Sequence, residues 1–233
     1  MECFRSFILA SISVFFGAGF SAAELMEDFN AGIPADWQVI DISGSSNVLG
    51  WDVNTAIVEN GNVRGNFTTG DGTAAHIDSR AFGAFGGNAD VSLNSPEFTV
   101  PENGSLSFAH SFRSIDDFDF AHVEITNDGG STWNSLATFE DSVGVSPPSP
   151  FTLNANTGVL TTIDLEDYEF DDVEIRFRYE SLNQGFWWQV DNVQVTAQAS
   201  STAVPEISSF LMFSTCLVGY FAAGLRRKKL RRR

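Results

Sequence analysis

Between residues 24 and 197 apolar and polar residues alternate in short runs, and Gly, Asn, Asp and Pro break the runs. In SLSFAHSF, Leu106, Phe108, His110 and Phe112 fall on one face. In DVEIRFRYE, Val173, Ile175, Phe177 and Tyr179 share one face, and Glu174, Arg176 and Arg178 share the other. A period of two belongs to a strand with one side in a core and the other in water. It predicts strands near 25–30, 37–42, 56–59, 62–67, 76–79, 97–100, 105–111, 121–126, 134–139, 158–164, 173–179 and 187–196. No window of about 11 residues sustains the 3.6 period of a helix. Many short strands predict an all-β sandwich of two sheets. Fourteen of the 22 Phe lie in this region, and so many large rings suit the slab between sheets. Residues 141–150, DSVGVSPPSP, cannot pair in a ladder and predict a loop.

The ends follow another pattern. Residues 1–23 carry Arg5, an apolar run over 7–20 and then Ser21-Ala22-Ala23, the pattern of a secretory signal peptide. Residues 207–225 hold no charge. As a helix this stretch would be roughly 28 Å long, close to a bilayer core of about 30 Å. Seven of the eight residues in 226–233 are Arg or Lys, which holds that end in the cytoplasm. A polar linker and a short motif, 198–206, join domain to span. The two cysteines, Cys3 and Cys216, lie in these end segments, so the exported domain uses no disulfide.

Charge separates the parts again. The chain has a net charge of −17, but its body has five Arg and no Lys against 28 acidic residues, a net −23. Nucleic acid needs a basic face and is excluded as a partner. An acidic surface suits solubility and divalent cations.

One short stretch, TNDGGSTW at 126–133, matches the Asp-box pattern Ser/Thr-x-Asp-x-Gly-x-Thr-Trp. Asp128 can accept bonds from turn N–H groups, Gly130 tolerates positive φ, and Trp133 can fold over the hairpin. Sialidase propellers carry several such boxes, an arginine cluster and a Tyr nucleophile. One box, five scattered Arg and three Tyr argue for a structural turn. Among the carboxylates, Asp191 stands out within FWWQVDNVQV, because an Asp among strand apolars needs a partner. A structural Ca2+ is expected at Asp191 with Glu27 or Asp28. A paired-carboxylate hydrolase is the competing reading. His76, His110 and His122 have no zinc spacing. Trp187 and Trp188 point to opposite faces of a strand. One fills the core; the other is a candidate to stack on a sugar, unless a loop covers it.

Two resemblances span most of the chain. EDFNAGIPADWQVID, HVEITNDGGSTWNSL, TIDLEDYEFDDVEIRFRYES and FWWQVDNVQV resemble the choice-of-anchor J group of bacterial surface domains, related to cleaved-adhesin and MAM-like jelly rolls. The resemblance implies a jelly-roll β-sandwich, a non-catalytic role in adhesion or carbohydrate binding, and a cation at Glu27 or Asp28 and Asp191. The tail resembles a PEP-CTERM sorting signal: Val204-Pro205-Glu206, an apolar span and an Arg-rich end. Ile207 stands where that signal usually has a second Pro. This resemblance implies an exosortase-type sorting enzyme as partner, anchoring through the C-terminal helix, and delivery to the cell surface or matrix.

Overall fold

The computed structural model describes residues 25–44, 50–59, 62–79, 89–114, 119–144, 157–182 and 185–197. The expected signal peptide, linker, sorting motif, membrane span and basic tail lie outside the described residues.

The strands are β1 (Leu25–Glu27), β2 (Gln38–Asp41), β3 (Asp52–Val53), β4 (Val58–Glu59), β5 (Asn62–Val63), β6 (Ala75–Asp78) and β7 (Ala89–Asn94). They continue with β8 (Phe98–Thr99), β9 (Gly104–Arg113), β10 (Asp119–Thr126), β11 (Asn134–Phe139), β12 (Val159–Asp164), β13 (Asp172–Ser181) and β14 (Trp187–Ala197). A short 3-10 turn covers Glu166–Tyr168. One sheet, here the anchor sheet, runs β12-β9-β14-β6-β3 with β1 also on β14. The second runs β11-β10-β13-β7-β2 with β8 also on β13. Every pairing in both is antiparallel. The expected all-β fold of two antiparallel sheets is what forms.

Alternation builds the core. On β13 Val173, Ile175, Phe177 and Tyr179 are buried, and the Arg and Glu between them are half-buried on the outer face. Leu106, Phe108, His110 and Phe112 of β9 face them from the anchor sheet. Trp188 fills the centre, edge-on to Trp51 at 5.4 Å and Phe177 at 5.7 Å between ring centroids. Its burial and its ring contacts make it a main tie between the sheets.

Two strands depart from the expected set, β3 and β7. β7 was hidden because Asp90, Ser92 and Asn94 are poor strand formers and a Gly-rich stretch precedes it. Its inward residues, Ala89, Val91 and Leu93, do alternate, and pairing with β13 and β2 on either side makes it a strand.

Candidate functional site

β1 ends where β14 bulges, and the candidate site lies there. Leu25, Met26 and Glu27 pair with Val195, Gln194 and Val193. Against β9 the register of β14 slips between Asp191 and Gln194. Asn192, in the bulge, has φ of 49°. Asp191 lies on the outer face by the same alternation that puts Trp187 and Gln189 there, just before the bulge, and residues 66–73 cover it.

A tight set of hydrogen-bond donors surrounds Asp191. Its Oδ2 accepts from Asn66 Nδ2 at 2.9 Å and from Thr68 Oγ1 at 3.0 Å. Its Oδ1 accepts from the Asn192 N–H at 2.7 Å. Asn66 Nδ2 also faces the carbonyls of Gly70 at 3.5 Å and Gly72 at 3.4 Å. One nitrogen thus sits where three oxygens converge. The backbone has no room to withdraw: a Cβ on Gly70 would overlap Asp191 Oδ2, and one on Gly72 would overlap Asn30 Oδ1. Asn30 in turn binds the Thr73 N–H at 3.0 Å, joining this loop to the chain after β1.

Burial pushes the Asp191 carboxyl above the usual carboxylate range, and the nearby Asp28 charge adds to it. Burial also raises Glu27, with Asp28 again contributing, although a 2.6 Å bond from the Phe29 N–H opposes the rise. Asp28, at the surface, is lowered by the Asn30 N–H, which it accepts at 3.0 Å. Among the described residues no Arg, Lys or His forms an ion pair with any of these three acids. The structure therefore brings Asp191, Glu27 and Asp28 to one end of the anchor sheet. It does not gather three acidic or His side chains on a single point among the described residues. The oxygens that do converge are two carbonyls and one carboxylate around the Asn66 amide nitrogen, a hard set suited to a cation such as Ca2+ rather than to a transition metal.

Beside the cradle lies a groove of about 540 Å³ on the outer face of the anchor sheet. Ala109 of β9, paired with Asp191 and Leu160, is its floor. Leu160 of β12 and Met26 of β1 rise beside it, 65% and 70% exposed. Asn192, Gln194 and Thr69 supply neutral polar groups, and Glu27 and Asp28 border the cradle end.

The expectation of an exposed tryptophan is corrected. Trp188 is in the core, as one of the pair had to be. Trp187 lies on the outer face but is only 2% exposed. Phe67 covers it at 5.5 Å, Phe186 at 5.7 Å, and the Arg64 guanidinium lies 4.1 Å from its ring centroid. Arg64 is itself buried and bonds Asp78 beneath. The Asp78 carboxylate offsets part of the cost of burying this guanidinium over the ring.

In the 126–133 turn, Asp128 Oδ1 accepts from the Thr132 N–H at 2.9 Å and Thr126 Oγ1 at 2.7 Å, and Oδ2 accepts from Thr132 Oγ1 at 2.7 Å. Gly129 and Gly130 have φ of 66° and 81°. Trp133 lies under the Arg176 guanidinium, 4.2 Å from its centroid. The turn is far from the groove in topology, at the β10–β11 end of the second sheet.

Sequence reasoning missed Asn66, Thr68, Gly70, Gly72, Ala109 and Leu160. NFTTGDGT, with an Asn, three Thr and two Gly around an Asp, carried a signal for a close-packed polar loop. Nothing in FAHS marks Ala109 as a floor.

No known family profile matches the chain. Hemagglutinin A of Porphyromonas gingivalis (strain ATCC BAA-308 / W83) is 29% identical over 181 residues, which is 72% of this chain. The match spans only 8% of that much longer protein. The K3 cleaved adhesin domain of Lys-gingipain from P. gingivalis W83 superposes with a TM-score of 0.56 at 23% identity, covering 76% of this chain and 99% of that domain. The K1 cleaved adhesin domain superposes at 0.54 with 21% identity, covering 75% and 98%. The described sandwich thus has the fold of the cleaved adhesin domains.

Proposed function

We propose that this chain is an exported, non-catalytic adhesion module of the bacterial cell surface or matrix, with carbohydrate as its ligand class. The observation that carries the reading is that resemblance in sequence to a hemagglutinin covers 72% of the chain and resemblance in shape to an adhesin domain covers 76% of it. An acidic hydrolase is the weaker reading. It requires two carboxyl groups facing across a cleft, about 5–9 Å apart. The two acids at the groove, Glu27 and Asp28, are consecutive, and each folds back on a backbone N–H two residues ahead. The likeness to choice-of-anchor J domains supports the surface role. The signal-peptide and PEP-CTERM-like ends support export, membrane anchoring and handling by an exosortase-type enzyme. Binding of the full-length chain to a glycan array with Ca2+ present, followed by incubation with the glycans it retains, tests the function. Retention without cleavage is expected; cleavage would support the hydrolase, and no retention would remove carbohydrate.

Ca2+ is the proposed structural ion. Asp191, the Gly70 and Gly72 carbonyls and, with its amide turned over, the Asn66 oxygen would hold it, with Glu27 or Asp28 adding charge. It would neutralise a buried carboxylate and fasten β1 and the 66–73 loop to β14. Chelation is expected to lower the thermal midpoint by several degrees, since a ligand bound only to the folded state stabilises it. An unchanged midpoint with EDTA counts against the ion.

A further inference from the structure

The groove over Ala109 crosses four strands in the order β12, β9, β14, β1. It exists because a small residue lies between taller neighbours and because the β14 bulge displaces Asn192. Its volume, about 540 Å³, falls within the roughly 300–1,000 Å³ of small-ligand sites. The chemistry of the lining is mixed in a specific way. Met26 and Leu160 are among the most exposed apolar side chains of the described residues, and both border this one floor. An apolar face laid between them would remove that surface from water. Asn192, Gln194 and Thr69 add neutral donors and acceptors around the same space. Among the described residues no Arg, Lys or His lines the groove, Glu27 and Asp28 do, and the body carries a net −23, so these side chains disfavour an anionic ligand.

A ligand that is uncharged, rich in hydroxyls and apolar on one face meets all these conditions. We propose that the groove is a binding subsite for an uncharged hexopyranose chain. The C–H face of one ring lies over Ala109 between Met26 and Leu160, and the ring hydroxyls bond Asn192, Gln194 and Thr69. The inference rests on the carbohydrate reading above and gives it a place and a charge preference. With aliphatic walls and no aromatic platform among the described residues, binding is weak and gains from several rings in series.

Calorimetric titration of the full-length chain, purified in detergent with Ca2+, tests it. The probes are neutral hexasaccharides of β-1,4-linked glucose and mannose and, as the anionic arm, a hexamer of galacturonate. At least one neutral probe is expected to bind about tenfold more tightly than the galacturonate. Ala109→Trp fills the floor and should abolish binding. Leu160→Ala strips one wall at an exposed site, where little stability is lost, and should weaken binding about tenfold. Ser135→Ala, on β11 of the other sheet, should bind as the unaltered chain does. Circular dichroism confirms folding; if Ala109→Trp does not fold, Leu160→Ala decides alone. Equal binding by the unaltered chain and the groove variants overturns the site while leaving carbohydrate binding intact. Preference for galacturonate overturns the charge argument. No binding of any probe, together with an empty glycan array, overturns the carbohydrate reading itself.

Discussion

Gly70 shows how much a missing side chain can carry. Its φ is in the ordinary range, so an alanine would find its backbone allowed. The obstacle is Asp191 Oδ2, which the new methyl group would overlap. The buried carboxylate cannot move without losing Asn66 and Thr68. Gly70→Ala is therefore expected to cost about 1–3 kcal/mol, read as a lower urea midpoint with an unchanged slope. Asp191 was legible in the sequence because a carboxylate among strand apolars calls for partners. The identity of those partners was not, since Asn66 and Thr68 lie more than a hundred positions away. Trp187 gives the opposite case. Alternation set it on the face opposite Trp188 without saying which of the two was outward, and its cover by Arg64 and Phe67 depends on a distant loop.

Among the elements, the 126–133 hairpin was the most legible, because its bonds are local. Asp128 is held down to about 2, first by the Thr132 N–H and then by the Thr132 and Thr126 hydroxyls. A folded-state value below the unfolded one stabilises the fold above pH 4, and the gain is lost as pH falls from about 3.8 to about 2. Asp128→Ala should therefore melt earlier than the unaltered chain at pH 7, and the two melting points should meet near pH 2. Strands were legible to the degree that both faces agreed. β11 matched its expected bounds to the residue, whereas β7 escaped because only its inner face reads as strand. The β14 bulge had no sequence signal apart from Asp191-Asn192 itself. Asn tolerates the left-handed region that the bulge needs, but it does so in many turns without a bulge.

For the molecule as a whole, His110 links the core to pH. It is fully buried among Phe108, Phe139 and Trp188, with Thr161 Oγ1 bonded to its Nε2 at 2.9 Å. Burial lowers its pKa from 6.5 to about 4. The unfolded chain therefore binds a proton at a pH where the folded chain does not. The contribution is complete above pH 6.5 and is lost as pH falls from 6.5 to about 4, a loss of about 3 kcal/mol. Urea midpoints between pH 8 and 4.5 should fall over that window, and His110→Gln should flatten the fall. The sequence by itself determined the class of fold, the acidic and disulfide-free character of the body and most strand faces. Each of these depends on period, composition or contacts between near neighbours. The tertiary structure alone decided which outward residues stay in water, which oxygens meet at Asp191 and where a groove opens. Those outcomes depend on strands far apart in the chain lying side by side, and a period of two says which face a residue is on but not what arrives to cover it.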